Sequence, residues 1–150
     1  MSEKSMSSIF TKIIQREAPG HIVWEDNEFI ALLDIHPINL GHTLVIPKEE
    51  IDSIFDLSEE QYKKIWEIVK FLASPIQKAT QAKRIGIAVE GFGVPHAHVH
   101  LIPVNNSCDL DPNKSKKASP EELERMYHQI QNEILTQERL TTSSLLYRHF

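Results

Sequence analysis

The sequence predicts an α+β fold: a mainly antiparallel five-stranded sheet with flanking helices. Three observations carry this. Two short β-forming runs, His21 to Glu25 and Phe29 to Asp34, close around Asp26-Asn27-Glu28, which is the length and composition of a hairpin. The stretch after Ser58 keeps a helical apolar period to Ile76. The segment His96-Ala97-His98-Val99-His100-Leu101-Ile102 alternates histidine with apolar residues, which is strand periodicity. Hairpin-joined strands followed by further strands and helices are the pattern of segregated α and β elements.

Each element has its own signal. Ser7 or Ser8 can cap a short helix in which Ile9, Ile13 and Ile14 share a face, and Pro19-Gly20 ends it. Thr43 to Ile46 is a β-branched third strand. Ser58-x-x-Gln61 is a capping box that opens the long helix. Its stripe of Tyr62, Ile65, Trp66, Val69, Leu72, Ala73 and Ile76 is core material, and Pro75 predicts a kink or an end to the regular part. Arg84 to Val89 is a fourth strand and His96 to Val104 a fifth. Residues 105–118 are polar, with a turn at Asp111-Pro112-Asn113. Ser119-Pro120-Glu121-Glu122 starts a last helix, with serine at N-cap, proline at N1 and glutamate at N3; a Thr/Ser-rich tail follows. There is no internal repeat, so residues 1–150 read as one domain with a core over about 7–104 and a C-terminal helix and tail over 119–150.

Composition narrows the function classes. The chain has 150 residues, 41% of them hydrophobic, and no apolar run near the ~20 residues of a membrane span. Met1-Ser2-Glu3-Lys4 lacks the apolar region of a signal peptide. The lone Cys108 excludes an internal disulfide and fits a reducing, cytoplasmic setting. A net charge of −5 argues against a broad nucleic-acid footprint but leaves room for a small phosphorylated ligand. Neither a membrane nor a nucleic acid is an expected partner.

The histidines point to chemistry. On a strand, His96, His98 and His100 would form a row on one face, with Ala97, Val99 and Leu101 packed on the other. Imidazole is nucleophile, base, acid and donor near neutral pH, so neighbouring histidines can divide the work of phosphoryl or nucleotidyl transfer. Imidazole is also a common zinc ligand, and a polar strand face without a task has the same pattern. Spacing alone leaves all three readings open.

The run His96-x-His98-x-His100 followed by two apolar residues resembles the signature of the histidine-triad (HIT) family. Leu40-Gly41-His42-Thr43-Leu44-Val45-Ile46-Pro47-Lys48 resembles its second block. Ser8–Ile14 and Ile30–Ile35 resemble its nucleoside-binding segments, in the family's order, over roughly residues 7–104. The resemblance implies a nucleotide hydrolase in which His98 attacks the α-phosphorus and forms a nucleotidyl-histidine. It implies that His96 and His100 hold phosphate oxygens, with His96 helping to protonate the leaving group, and that His42 lies beside the triad. It makes Asp34 a ribose contact, although an aspartate before His36-Pro37 is also a turn former. It places Ile9, Phe10, Ile13, Leu32, Leu33 and Ile35 around a purine base, where each is equally a core residue. It further implies a homodimer whose two sheets join edge to edge.

The chain departs from the family pattern in three places. Many bacterial members carry a Cys-x-x-Cys pair and a later histidine that hold a structural zinc with the first triad histidine. Here those positions are Ser8, Thr11 and Glu50, poor substitutes for thiolates, so no metal and no cofactor is expected and His96 is read as free for substrate. The loop before the triad, Val89-Glu90-Gly91-Phe92-Gly93-Val94-Pro95, is short and lacks the family's phosphate-contacting asparagine, glutamine and hydroxyl. Gly93 still permits a backbone amide to approach a phosphate, though glycines also serve tight turns. The end of the chain lacks the family's tryptophan-containing signature. The expected function is hydrolysis at the α-phosphorus of a purine nucleoside phosphoramidate or dinucleoside polyphosphate. A nucleotide-binding regulator with little turnover and a histidine-ligated metallohydrolase are the alternatives.

Overall fold

The computed structural model describes residues 7–147 of the chain, with the side chains described to Thr142. Helix α1 (Ile9–Ile14) is followed by strands β1 (Ile22–Glu25), β2 (Phe29–Leu33) and β3 (Thr43–Pro47), helix α2 (Glu59–Thr80), strands β4 (Arg84–Ala88) and β5 (Val99–Val104), and helix α3 (Pro120–Tyr147). The five strands form one antiparallel sheet in the order β1-β2-β3-β5-β4. The predicted α+β class holds, and the fifth strand lies beside the fourth. Met1–Lys4, on which the absence of a leader was read, and Arg148–Phe150 lie outside the described residues.

Both faces of the sheet are covered, which is why every residue of β2 and β3 is buried. One face receives α2 and α3. Phe29, Ala31, Leu33, Val45, Val99 and Leu101 meet Ile65, Leu72 and Ile76 of α2 and Ile130 of α3 there. Each such aliphatic side chain contributes about 1.5–3 kcal/mol by leaving water. On the other face, Ile30, Leu32, Leu44 and Ile46 pack with Phe10 and Ile13 of α1. The period-2 alternation of β2 thus feeds two different cores.

The capping signals form as the sequence predicts. Ser58 caps α2 with the reciprocal Gln61 bond of a capping box. Ser119 and Glu122 make the same pair at α3. Asp26 accepts from the amides of Glu28 and Phe29 and so closes the β1–β2 hairpin.

Four expectations are corrected. Helix α1 ends at Ile14, well before Pro19-Gly20, because Arg16 takes a left-handed backbone (φ 63°). Its buried residues are Phe10 and Ile13, while Ile9 is exposed. Helix α2 runs through Pro75 to Thr80, so of the two outcomes expected at Pro75 an early end is excluded. Proline has no N–H for the carbonyl of Phe71, four residues back, and that carbonyl accepts instead from Gln137 Nε2 of α3 at 2.8 Å. The Thr/Ser-rich stretch is helical, since α3 continues to Tyr147.

The fourth correction bears on the site. The last strand starts at Val99, not at His96. Its register against β3 pairs Val45 with Val99, so Ala97 falls opposite Pro47. Proline has no N–H to donate to a ladder, and its carbonyl is taken by the His96 side chain at 2.7 Å. The amide of Ala97 turns to the carbonyl of Ile51. His96 and His98 therefore stand on an irregular approach to the strand, and only His100 is in it.

After β5 the chain doubles back over the sheet. Residues 105–118 are tied to the β2–β3 loop by backbone bonds from Lys116 to Pro37 and from Ala118 to Ile35. Leu110 lies directly on Gly86 of β4, where an added Cβ would meet Leu110 Cδ2 at 2.7 Å. A side chain at position 86 would push this segment off the sheet.

Candidate active site

The site lies on the α1 face, between α1 and the 105–118 segment. The loop after β2 supplies Asp34, the entry to β3 supplies His42, the approach to β5 supplies His98, and β5 itself supplies His100. Gly41 makes the entry into β3 possible. Its φ is +99°, and a Cβ there would collide with Thr80 Cγ2. The His98 and His100 rings are 4.9 Å apart between centroids, and His100 and His42 are 5.1 Å apart. Phe10 presents its ring edge-on to His98 at 5.1 Å.

The hydrogen bonds fix the tautomers. His98 Nδ1 lies 2.7 Å from the carbonyl of His96. A carbonyl can only accept, so Nδ1 carries the proton and Nε2 holds a free lone pair. His42 Nδ1 receives the amide of Ile38, so its proton sits on Nε2, which donates to His100 Nδ1 at 2.8 Å. His100 therefore carries its proton on Nε2. The site offers one lone pair, on His98, beside one N–H donor, on His100.

Burial keeps the supporting histidines neutral. Loss of hydration, then the neighbouring His100 and His98, pull the pKa of His42 down to about 3. Burial, then His98, pull His100 down to about 4. Asp34 is shifted upward by burial, against the amide of His36, which donates to its Oδ1 at 2.8 Å. Asp34 is thus both the turn former and a cavity carboxylate.

His96 stands apart from the other two. Its side chain is 0% exposed. Nε2–H donates to the carbonyl of Pro47, which leaves Nδ1 to accept from the Ser8 hydroxyl at 2.7 Å. Glu50 receives the Ser8 amide and the Thr11 hydroxyl, and its Oε1 is 3.9 Å from His96 Nδ1. Desolvation is the largest influence on His96 and lowers its pKa. The expectation that His96 is free for substrate is corrected: both ring nitrogens are engaged by the protein. Ser8, Thr11 and Glu50 do gather around it, as a hydrogen-bonded cluster that ties α1 to the triad.

A cavity of about 500 Å³ opens beside His98 and His100. Ile9, Phe10, Ile13, Leu32, Leu33, Asp34, Ile35 and Gly93 all line it. Leu33 belongs to the core of the opposite face, as its strand position requires. Gly91 and Gly93 have φ of 79° and 85°, so both are needed for the turn itself. Sequence reasoning missed His36 and Phe92, which also line this cavity. His36 was legible only as the residue two beyond Asp34.

Asp34, His42 and His100 are the described group that could hold a metal ion, with one ligand atom each within 4.8 Å of one another. The 2.8 Å between His42 Nε2 and His100 Nδ1 is a hydrogen bond. Two imidazoles on one tetrahedral zinc, with Zn–N near 2.0–2.1 Å, place their nitrogens roughly 3.3 Å apart. The arrangement is that of a proton-sharing pair. Holding a metal would require breaking it.

A histidine with a free Nε2 lone pair, a neighbouring histidine N–H donor and a cavity carboxylate define a class of histidine-centred sites, and comparison with known proteins identifies the family. The HIT domain model matches residues 15–107. Adenosine 5'-monophosphoramidase of Schizosaccharomyces pombe is 34% identical over 133 residues, covering 86% of this chain and 99% of its own. A hypothetical histidine triad nucleotide-binding protein of Sulfolobus tokodaii superposes with a TM-score of 0.76 at 31% identity, covering 87% of this chain and 93% of its own. A Zn-bound histidine triad family protein of Mycobacterium smegmatis gives 0.77 at 27% identity, with 91% and 99% covered. The chain belongs to the HIT family.

Proposed function

We propose that this protein hydrolyses purine nucleoside phosphoramidates, or related α-phosphorus substrates such as dinucleoside polyphosphates, through a nucleotidyl-histidine on His98. One observation carries the reading: the His96 carbonyl fixes the Nδ1–H of His98, so the Nε2 lone pair is available beside the cavity. The phosphoramidase activity named for the Schizosaccharomyces pombe relative supports the substrate class.

In the proposed reaction the base lies among Phe10, Ile13 and Leu32, and Asp34 accepts from the ribose hydroxyls. His98 Nε2 forms the bond to phosphorus as the phosphorus–nitrogen bond breaks, while neutral His100 keeps its Nδ1 bond from His42 and turns its Nε2–H to the phosphate oxygens; the departing nitrogen takes its proton from water. Water then attacks the nucleotidyl-histidine, solvent takes its proton, and His98 is released with the nucleoside monophosphate. His96 acts through its backbone carbonyl and by holding α1, a role different from the phosphate contact that the resemblance implies.

Mass spectrometry after quenching with a slow AMP-amine substrate tests this. An AMP adduct on His98 is expected, together with loss of turnover in His98→Ala at retained AMP affinity. AMP binding without adduct or turnover would make the protein a nucleotide-binding regulator. We also propose a homodimer paired through β4, the sheet edge that follows β5. Light scattering should give twice the chain mass.

A further inference from the structure

A second cavity, of about 250 Å³, meets the nucleotide cavity at Asp34, His36 and His100. Its floor is the sheet, where Ala88 of β4 lies in register with His100 and Gly86 with Ile102 of β5. Its roof is the 105–118 segment, which contributes Leu110, Pro112 and Ser115. That roof is fastened in place by the Lys116–Pro37 and Ala118–Ile35 backbone bonds and by the contact of Leu110 with Gly86. The cavity is therefore a built feature of the fold, and the nucleoside reading leaves it unused.

Its chemistry is one-sided. Ile38, Ala88, Ile102, Leu110 and Pro112 make apolar walls. The formal charges among the described lining residues are the carboxylates of Asp34 and, at the exposed rim, Glu90. Among the described residues no lysine or arginine lines either cavity, and Lys114 on the roof segment is turned to Asp109 at 3.6 Å. A polyphosphate leaving group would bring anionic oxygens against two carboxylates. A hydrocarbon chain ending in a cation would bury its methylenes on the walls and set its charge at Glu90.

We propose that this cavity is the leaving-group subsite and that it takes an aliphatic amine carrying a second, cationic group at its far end. The proposal rests on the hydrolase reading above and narrows it. His100, shared by both cavities, stands where the phosphorus–nitrogen bond would be broken. The amine released there would leave along the apolar wall.

The test uses three phosphoramidates of AMP with the same four-carbon chain: butane-1,4-diamine, butylamine and 4-aminobutyrate. Wild-type kcat/KM should fall in the order cationic, neutral, anionic, spanning about tenfold, and Glu90→Gln should narrow that span to about twofold, the scale of one partly exposed ion pair. Leu110→Ala should lower kcat/KM for butylamine relative to an unsubstituted AMP amide. Glu90 is exposed, so a matching thermal melt separates specificity from folding. Equal turnover of all three by the wild type leaves the hydrolase standing and overturns the subsite. No turnover of any of them, with no adduct on His98, removes the hydrolase reading and the subsite with it.

Discussion

The two ends of the histidine segment have the same residue type and the same spacing, and they do opposite things. At the His96 end the imidazole is sealed between Ser8 and the Pro47 carbonyl, with Thr11 and Glu50 around it. At the His100 end the imidazole shares a proton-bearing contact with His42 and borders two cavities. The difference teaches that spacing does not assign a role. What assigns it is where the strand begins and which elements cover each ring. His98 sits at the junction, anchored by the backbone of the closed end and facing the open one.

Substitutions break this comparison most directly. His98→Ala should lower kcat by at least about 10³-fold with AMP affinity retained, because the proposed nucleophile has no substitute. His100→Ala should cost about 10²-fold or more in kcat through loss of the proposed N–H donor to phosphate, with a smaller fall in melting temperature than His96→Ala. His96→Ala should show the inverse pattern. It removes the acceptor of the Ser8 hydroxyl and the side-chain donor to the Pro47 carbonyl and leaves a cavity, at about 3 kcal/mol of stability, readable by denaturant titration. If His96→Ala instead keeps its stability and loses only turnover, the contrast between the two ends is wrong. Ser8→Ala removes both the cap of α1 and the partner of His96, at a cost of about 1–2 kcal/mol, with part of the loss restored in Ser8→Thr.

Acidity sharpens the same comparison. His42 and His100 titrate at about 3 and 4 in the folded chain, and at about 6.5 in an unfolded chain. Between those values the unfolded state binds more protons, so stability is full above about pH 6.5 and falls as pH drops toward 4. His96 acts in the same sense. Asp34, shifted upward by burial, opposes them over the carboxylate range. Melting temperature should therefore decline from pH 7 to pH 4.5, and the decline should be shallower in His42→Gln. A pH-independent melt over that range would mean that the histidines are not held neutral.

Much of the fold was legible because its signals are local. The hairpin at Asp26, the capping boxes at Ser58 and Ser119 and the apolar stripe of α2 each depend on neighbours within a few residues. The residues that line the cavity beside His98 were legible for another reason. Its walls are ordinary core positions, so Phe10, Ile13 and Leu32 followed from α1 and β2 being elements with buried faces. The path through Pro75 was not legible, because the acceptor left free there is satisfied by Gln137, 66 residues away.

The sequence by itself determined the kind and order of the main helices and strands, though not all of their ends, and the presence of three histidines in one short segment. Those follow from side-chain periodicity and from caps and turns, which are short-range physics. Only the tertiary structure decided which histidine is which. Pro47 ends the ladder opposite Ala97, Ser8 reaches His96 across 88 positions, and His42 reaches His100 across 58. A ring's tautomer and its proton affinity depend on the groups that touch it and on the water excluded from it. Neither is a property of the residue's neighbours along the chain.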